Sequence, residues 1–449
     1  MPRSGGTPAA MPRLTADRAR RDDRGAPRRG DEPDGPAAMP LILSDDDLAA
    51  ARSNRSAAMP LAGLRVIDAG QIIAGPFGPS LLADFGADVI SIENPELFGL
   101  ELAPTVALGR AVLGRNKRSI TLDLRTPRGQ DLVRRLAAVS DVLVENYSPG
   151  TMERWGIGPD DLAKVNPRLV YVRVSGFGQT GPYRQKGGYD RVAMAFGGLL
   201  EVTGEPDGAP VHPGYMLGDH LAGTFNALGA LIALYWRDAA GGGTGQVVDV
   251  SLYEPLFRVS HNIAGEYAYD GKVRRRAGNT RNWTVPGEQF RTKDDRWALI
   301  IAPSDRLFIR LCQAMGRPEL TVDPRFMPTH IRQQHADEIH AEIRPWVAQH
   351  TLTDVIAILD EARVPVGPIY AIDEIFDDPH YEARENIVEI PDPHTGRAAM
   401  PNVVPKLSRT PGGVHSPAPR TGEHNDAVFG GLLSLSSEEI AALREAKVI

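Results

Sequence analysis

Leu64-Arg-Val-Ile-Asp68 and Ala87-Asp-Val-Ile-Ser-Ile-Glu93 are two short runs rich in β-branched apolar residues, each of strand rather than helix length. Between them Leu81, Leu82 and Phe85 recur at helical spacing, which predicts a helix from about Pro76 to Phe85. A strand, a helix and a strand joined by short links imply parallel pairing, because parallel neighbours need a crossover connection. The order repeats downstream. Thr126-Pro127 reads as an N-cap followed by proline at the first helical position. Leu132, Val133 and Leu136 continue that helix, and Asp141-Val-Leu-Val-Glu-Asn146 and Leu169-Val-Tyr-Val-Arg-Val174 follow as strands. The pattern predicts an α/β fold around a parallel sheet.

This opening unit imitates a dinucleotide site, with Glu93 about 20 residues beyond the turn, where a ribose-binding acid belongs. The turn itself reads Gly70-Gln-Ile-Ile-Ala-Gly75-Pro-Phe-Gly78, which is not G-x-G-x-x-G. Pro76 and Phe77 suit neither close approach to a pyrophosphate nor tight helix–strand packing, so a nicotinamide dehydrogenase is disfavoured.

The remainder divides by composition. Residues 1–58 are rich in Arg, Asp, Pro, Gly and Ala without apolar periodicity, which predicts a disordered extension. Ala-Ala-Met-Pro recurs ending at Pro12, Pro40 and Pro60, and the folded pattern starts after the last, leaving Met39 and Met59 as alternative starts. A fresh pattern over about 280–385 comprises the strand Arg296-Trp-Ala-Leu-Ile-Ile-Ala302 and helices around 305–315 and 335–361, predicting a smaller second domain. Ser436 and Glu439 form a capping-box pair opening a last helix.

Composition excludes several functions. A net charge of −7 argues against nucleic-acid binding. Cys312 is alone in an apolar helical stretch, which excludes a disulfide framework and a cysteine-ligated metal and fits a reducing, cytoplasmic setting. The most apolar run, Leu221 to Trp236, contains Asn226 and falls short of the roughly 20 residues that span a bilayer, so no membrane partner is expected.

Ala74-Gly-Pro-Phe-Gly-Pro-Ser-Leu-Leu-Ala-Asp-Phe-Gly-Ala-Asp-Val-Ile-Ser-Ile-Glu93 is followed by NKRSITLDLRTPRG (116–129), DVLVENYSPGTMERWG (141–156) and NPRLVYVRVSGFGQTGPY (166–183). LGDHLAG (217–223), GTGQVVDVSLYE (243–254), VPVGPI (364–369) and TGEHNDAVF (421–429) complete an ordered series. Together these segments resemble the class III coenzyme A transferase family, which includes formyl-CoA transferase, carnitine CoA-transferase and the related α-methylacyl-CoA racemases. The resemblance spans roughly 60–449. It implies a Rossmann-like large domain (59–250), a linker (251–279), a small α+β domain (280–385), and a return linker with C-terminal segment (386–449). It also implies that two such ring-shaped subunits interlock as a homodimer.

By resemblance the catalytic aspartate falls on Asp219. Read from its own surroundings, Asp219 is also a good N-cap, and a helix N-terminus favours its anionic form. The implied chemistry is nucleophilic catalysis, in which the carboxylate takes an acyl group and then CoA itself. The implied substrates are an acyl-CoA and a small carboxylic acid, with CoA as substrate and no permanently bound cofactor or metal. Leu122, Asp123, Leu124 and Arg125 match the adenine end of the CoA site, and Asn146 and Tyr147 match the pantetheine path. Arg154 matches a phosphate-binding arginine, and Ala74 and Lys186 fall in or beside CoA-contacting segments. Gly218 and Gly187-Gly188 are candidate oxyanion donors. Three positions depart from formyl-CoA transferase: Ile73 replaces a glutamine, Asn94 replaces an arginine, and Thr284-Val-Pro-Gly287 stands where that enzyme has a glycine run. A racemase on the same fold needs two opposed bases. The racemase histidine context reads Gly188-Tyr189-Asp190 here, which leaves Tyr189 or His220 as the second base. A noncatalytic CoA-binding subunit is the remaining alternative.

Overall fold

The computed structural model describes the backbone of residues 41–42 and then residues 59–97, 99, 102–279 and 284–449. In chain order the first elements are β1 (Leu41–Ile42), β2 (Arg65–Asp68), α1 (Phe77–Asp84), β3 (Asp88–Glu93), α2 (Pro104–Gly114) and β4 (Lys117–Thr121). They continue with α3 (Pro127–Ala138), β5 (Val142–Glu145), α4 (Thr151–Arg154), α5 (Pro159–Val165) and β6 (Val170–Ser175). Then come α6 (Asp190–Phe196), α7 (Leu217–Asp238) and β7 (Val247–Ser251).

Strands β2 to β7 make one sheet in the order β4-β3-β2-β5-β6-β7, with every neighbouring pair parallel. Successive residues on these strands point to opposite faces, and both faces are covered. Ile67, Ile90 and Leu143 pack on one side with Leu132 and Leu136 of α3 and with Val428 and Phe429. Their neighbours Val66, Val89 and Val142 pack on the other with Leu82 of α1 and Ala230 of α7. Double coverage explains why these strands read as apolar runs rather than as alternating patterns. The order is that of a doubly wound sheet, which reverses direction between β2 and β5, so the loops leaving these two strands diverge and open a crevice.

A second, antiparallel sheet has the order β10-β9-β8, from β8 (Gly287–Arg291), β9 (Trp297–Ile301) and β10 (Val366–Pro368). Its own core includes Phe290, Ile300, Phe308, Cys312, Phe326 and Leu359. Burial pushes the Cys312 thiol up to about 12, so this cysteine is an inert apolar filler. In a third sheet, β11 (Ile387–Asp392) pairs with β12 (Gly396–Pro401) on one side and with β1 on the other.

Several expectations change. Within 1–58, Leu41 and Ile42 are not irregular but pair in parallel with Val388 and Glu389, because the open edge of β11 accepts a strand; the rest of that extension lies outside the described residues. The helix expected over 335–361 is two helices, Ala336–Val347 and Leu352–Glu361. Thr351 and Asp354 form a reciprocal capping box that starts the second. The caps expected at Thr126 and Ser436 are present, accepting from the backbone N–H of Gly129 and Glu439. Glu93 is no ribose ligand: both its carboxylate oxygens are held by Arg110, with Ser119 and Thr421 donating as well.

A buried ion pair ties the crevice to the sheet. Asp68 ends β2 and Lys117 begins β4, and their side chains are almost fully buried, with Nζ 2.8 Å from Oδ2. Lys117 Nζ also donates to the Pro76 carbonyl at 2.8 Å, and Asp68 Oδ1 accepts from Gly70 N–H at 3.1 Å. Both ends of the loop 70–76 are therefore anchored to one charge pair. Removing one partner leaves a buried charge uncompensated. Lys117→Met is expected to lower unfolding stability by about 3–5 kcal/mol, read from urea unfolding midpoints, and Asp68→Asn added to it should recover part of the loss.

Candidate active site

The crevice between β2 and β5 is built by two loops that hold each other. Gln71 N–H donates to Asn146 Oδ1 and Asn146 Nδ2 donates to the Gln71 carbonyl, both at 2.8 Å. Gln71 Nε2 adds a bond to the Tyr147 hydroxyl at 3.1 Å. The first loop doubles back so closely that a Cβ on Gly70 would stand 2.8 Å from the Gly75 Cα. From α7, the buried Asn226 donates to the carbonyls of Ala74 and Gly75 at 3.2 and 3.1 Å. A Cβ on Gly78 would fall within 2.0 Å of Asn226 Oδ1. Gly78 thus serves the approach of α1 to α7, and Gly75 the close fold of the loop onto Gly70 and Asn146.

The second loop is fixed from below. Glu145 is fully buried at the end of β5, its Oε1 accepting from Arg173 Nε at 2.8 Å and its Oε2 from Tyr147 N–H at 2.7 Å. Arg173 reaches on to Glu153 at 2.5 Å.

These loops, with Ser175, Gly176 and the segment 186–189, enclose a cleft of ≈ 320 Å³. Ala74, Asn146, Tyr147, Lys186 and Asp219 all line it, as do Ile73, Gly187, Gly188 and Tyr189. A neighbouring hollow of ≈ 200 Å³ shares Gln71 and Tyr147 as its wall and carries Leu122, Asp123, Leu124 and Arg125, with Asn94 and Trp155. Apart from Arg154, the expected residues therefore line two adjoining spaces, Asp219 in the first and the exposed guanidinium of Arg125 in the second. Arg125 is held there by Asp123 at 2.8 Å, which keeps the Asp123 carboxyl below the usual range. Burial raises the Tyr147 phenol, which stays neutral and able to donate.

Arg154 is not brought in: it lies on α4, donates to Thr151 Oγ1 at 2.8 Å and lines neither space. Gly218 does not line the cleft either, and a Cβ on it would meet Asp190. Gln71, Trp155 and Ser175 were not anticipated; of these, only Gln71 carried a signal, as a polar residue inside an apolar turn.

Asp219 differs from its sequence reading in one respect. It does not cap α7: the helix starts at Leu217 with Met216 in the cap position, and Asp219 sits in the first turn. Its carboxyl is raised to about 6, first by burial and then by the nearby charge of Asp190, with His220 opposing. These outweigh the favourable end of the helix dipole, a surface-strength effect of about 0.3–1 kcal/mol. His220 turns away from the cleft, its Nδ1–H on the Met216 carbonyl at 2.8 Å and its ring edge-on to Phe77. It does not face Asp219 across the cleft as a second base would.

A crevice at the reversal of a doubly wound parallel sheet, with a buried carboxyl of raised pKa on its wall, has the form of an α/β enzyme's active site. The comparisons with known proteins say which. Residues 61–425 match CoA-transferase family III. Succinyl-CoA–D-citramalate CoA-transferase of Chloroflexus aurantiacus is 44% identical over 87% of this chain and 98% of its own. The β subunit of succinyl-CoA–L-malate CoA-transferase from that organism is 42% identical over the same shares. Mouse succinyl-CoA:glutarate CoA-transferase is 31% identical over 86% of this chain and 89% of its own. The crystal structure of a CaiB/BaiF family protein from Brucella suis superposes with a TM-score of 0.74 at 32% identity, covering 84% of this chain and 100% of its own. The chain belongs to CoA-transferase family III, and it is an enzyme that moves CoA between an acyl-CoA and a carboxylate.

The tightest backbone approach in the cleft gives a direct check. A Cβ on Gly188 would lie 2.4 Å from the Gly176 Cα. Gly188→Ala must displace one wall, so kcat/KM for acyl-CoA should fall by at least about tenfold while the thermal midpoint shifts by only a few degrees.

Proposed function

We propose that Asp219 is the nucleophile of this transfer and that the track from Asp219 past Tyr147 to Arg125 is the CoA site. The observation carrying this reading is that Asp219 is the carboxyl among the residues lining the cleft, and that the adjoining hollow, which shares Gln71 and Tyr147 with it, bears the exposed cation Arg125. Asp219 attacks the thioester carbonyl, forming a mixed anhydride and releasing CoA thiolate. The thiolate attacks the aspartyl carbonyl, the donor acid leaves, and an aspartyl-CoA thioester remains. The acceptor acid then reverses these steps. Gly187 and Gly188 line the cleft and are suited to supply backbone N–H groups to the oxyanions. Arg125 takes the phosphate end of CoA, with Leu122 to Leu124 beside the adenine, and Ala74, Asn146, Tyr147 and Lys186 along the chain between. Arg154, outside both spaces, is left to hold α4.

The names of the relatives favour succinyl-CoA as donor and a dicarboxylic or hydroxy acid as acceptor. The outward position of His220 favours transfer over racemisation. Association with a second subunit is supported by the exposed apolar stripe of α7, formed by Leu228, Leu231, Ile232, Tyr235 and Trp236.

Incubation with succinyl-CoA and a panel of dicarboxylic and hydroxy acids should yield new acyl-CoA thioesters on chromatography, with Asp219→Ala slower by a thousandfold or more. Exchange of the α-proton into deuterated water without any new thioester would instead establish racemisation. Because the carboxylate must be ionised to attack, kcat/KM should drop about tenfold per pH unit below about 6 and level off above it. Arg125→Ala should raise KM for acyl-CoA about tenfold with little change in kcat, an effect that weakens in high salt.

A further inference from the structure

Asp219 has a second carboxyl beside it. Asp190 opens α6 and is 8% exposed. Its Oδ1 accepts the Asp219 backbone N–H at 3.2 Å, which places its carboxyl against the first turn of α7. The packing is close: a Cβ on Gly218 would stand 3.1 Å from that same oxygen. On its other side, Asp190 Oδ2 lies 3.7 Å from His212 Nε2, on the segment leading into α7. That nitrogen is buried and without a hydrogen-bond partner. The other ionisable groups around Asp219 are Lys186 and Tyr189 on the cleft wall and His220 on α7 itself, turned toward Phe77. The leading charge acting on Asp219 is therefore of its own sign.

A like charge next to a nucleophile is costly in the free enzyme. It ceases to be costly once the nucleophile is acylated. When an Asp219 oxygen bonds to the thioester carbon and the C–S bond breaks, the electron pair leaves on the CoA sulfur. The negative charge passes from Asp219 to the thiolate. When the thiolate attacks the aspartyl carbon, the C–O bond breaks and the charge departs with the donor acid. Asp219 is neutral in both covalent states, so its repulsion from Asp190 exists only before the reaction and after it.

We propose that Asp190 is a positioning residue that holds the first turn of α7 and, through like-charge repulsion, favours the acylated over the free state of Asp219. The inference rests on Asp219 being the nucleophile.

Asp190→Asn is the informative variant, since the amide oxygen still accepts the Asp219 N–H while the charge is gone. The acid limb of kcat/KM should move to lower pH by about one unit. Over the same range kcat should fall about tenfold, and hydroxylamine should trap a smaller steady-state fraction of enzyme as the Asp219 hydroxamate. These changes run in opposite directions, improved ionisation with poorer acylation, and lost packing alone would not move the limb. Asp190→Glu, which keeps the charge, should retain the wild-type limb and serves as the control for folding. An Asp190→Asn enzyme with unchanged limb and unchanged trapped fraction overturns the role of Asp190. A wild-type enzyme that yields no Asp219 hydroxamate overturns the nucleophile assignment itself.

Discussion

The pair of Asp68 and Lys117 is the contact on which the cleft depends. It joins β2 to β4 across the intervening β3, and the same two side chains bond both ends of the loop 70–76. That loop presents Gln71, Ile73 and Ala74 to the cleft and is clasped by Asn146 on one side and Asn226 on the other. A buried ion pair often adds little stability over a hydrophobic substitute. Here it supplies geometry: a lysine donates in several directions, whereas an apolar replacement could not bond the Pro76 carbonyl. The parallel sheet makes the crevice, and the charged pair gives it a shape.

Within that shape, electrostatics distinguishes the cleft from the adjoining hollow. The hollow has an exposed arginine; the cleft has a buried carboxyl raised by burial and by Asp190. A carboxylate is a weak nucleophile when fully solvated, and both influences make it more basic while leaving it largely ionised at neutral pH. Tyr147 stands where the two spaces meet, and its backbone is held by the Glu145–Arg173 network. The two adjoining spaces are thus framed by rigid elements at the carboxyl ends of β2, β4, β5 and β6.

Much of this could be read in advance, and the parts that could not have a common physical origin. Strands β2, β3, β5 and β6 were legible because burial on both faces leaves apolar runs. The caps at Thr126 and Ser436 were legible because capping is local. The break at Thr351 was hidden by apolar periodicity continuing through it, although Thr351-Leu-Thr-Asp354 carried the signal. The hairpin of β11 and β12, and its pairing with Leu41 and Ile42, depends on contacts far apart in the chain. The grouping of Ala74, Asn146, Tyr147, Lys186 and Asp219 in one cleft followed from the family resemblance, not from spacing. Asp190 is 29 residues from Asp219 and meets it only because α6 and α7 pack together. Misreading Asp219 as a cap came from the same limit: sequence displays the residue before an apolar helix, but not which residue has helical dihedrals.

The central claim is that the Asp219 carboxyl itself passes through the covalent cycle, and an oxygen label tests it most directly. The enzyme would be run through many turnovers with succinyl-CoA and an acceptor acid carrying heavy oxygen in its carboxylate, then digested and its peptides weighed. In the covalent cycle the acceptor's oxygen bridges to the aspartyl carbon and stays there when the new thioester leaves. The peptide containing Asp219 should therefore carry heavy oxygen, and so should the released succinate. If the acceptor attacked the donor thioester directly, label would reach succinate while the Asp219 peptide stayed unlabelled, and that result would contradict the account.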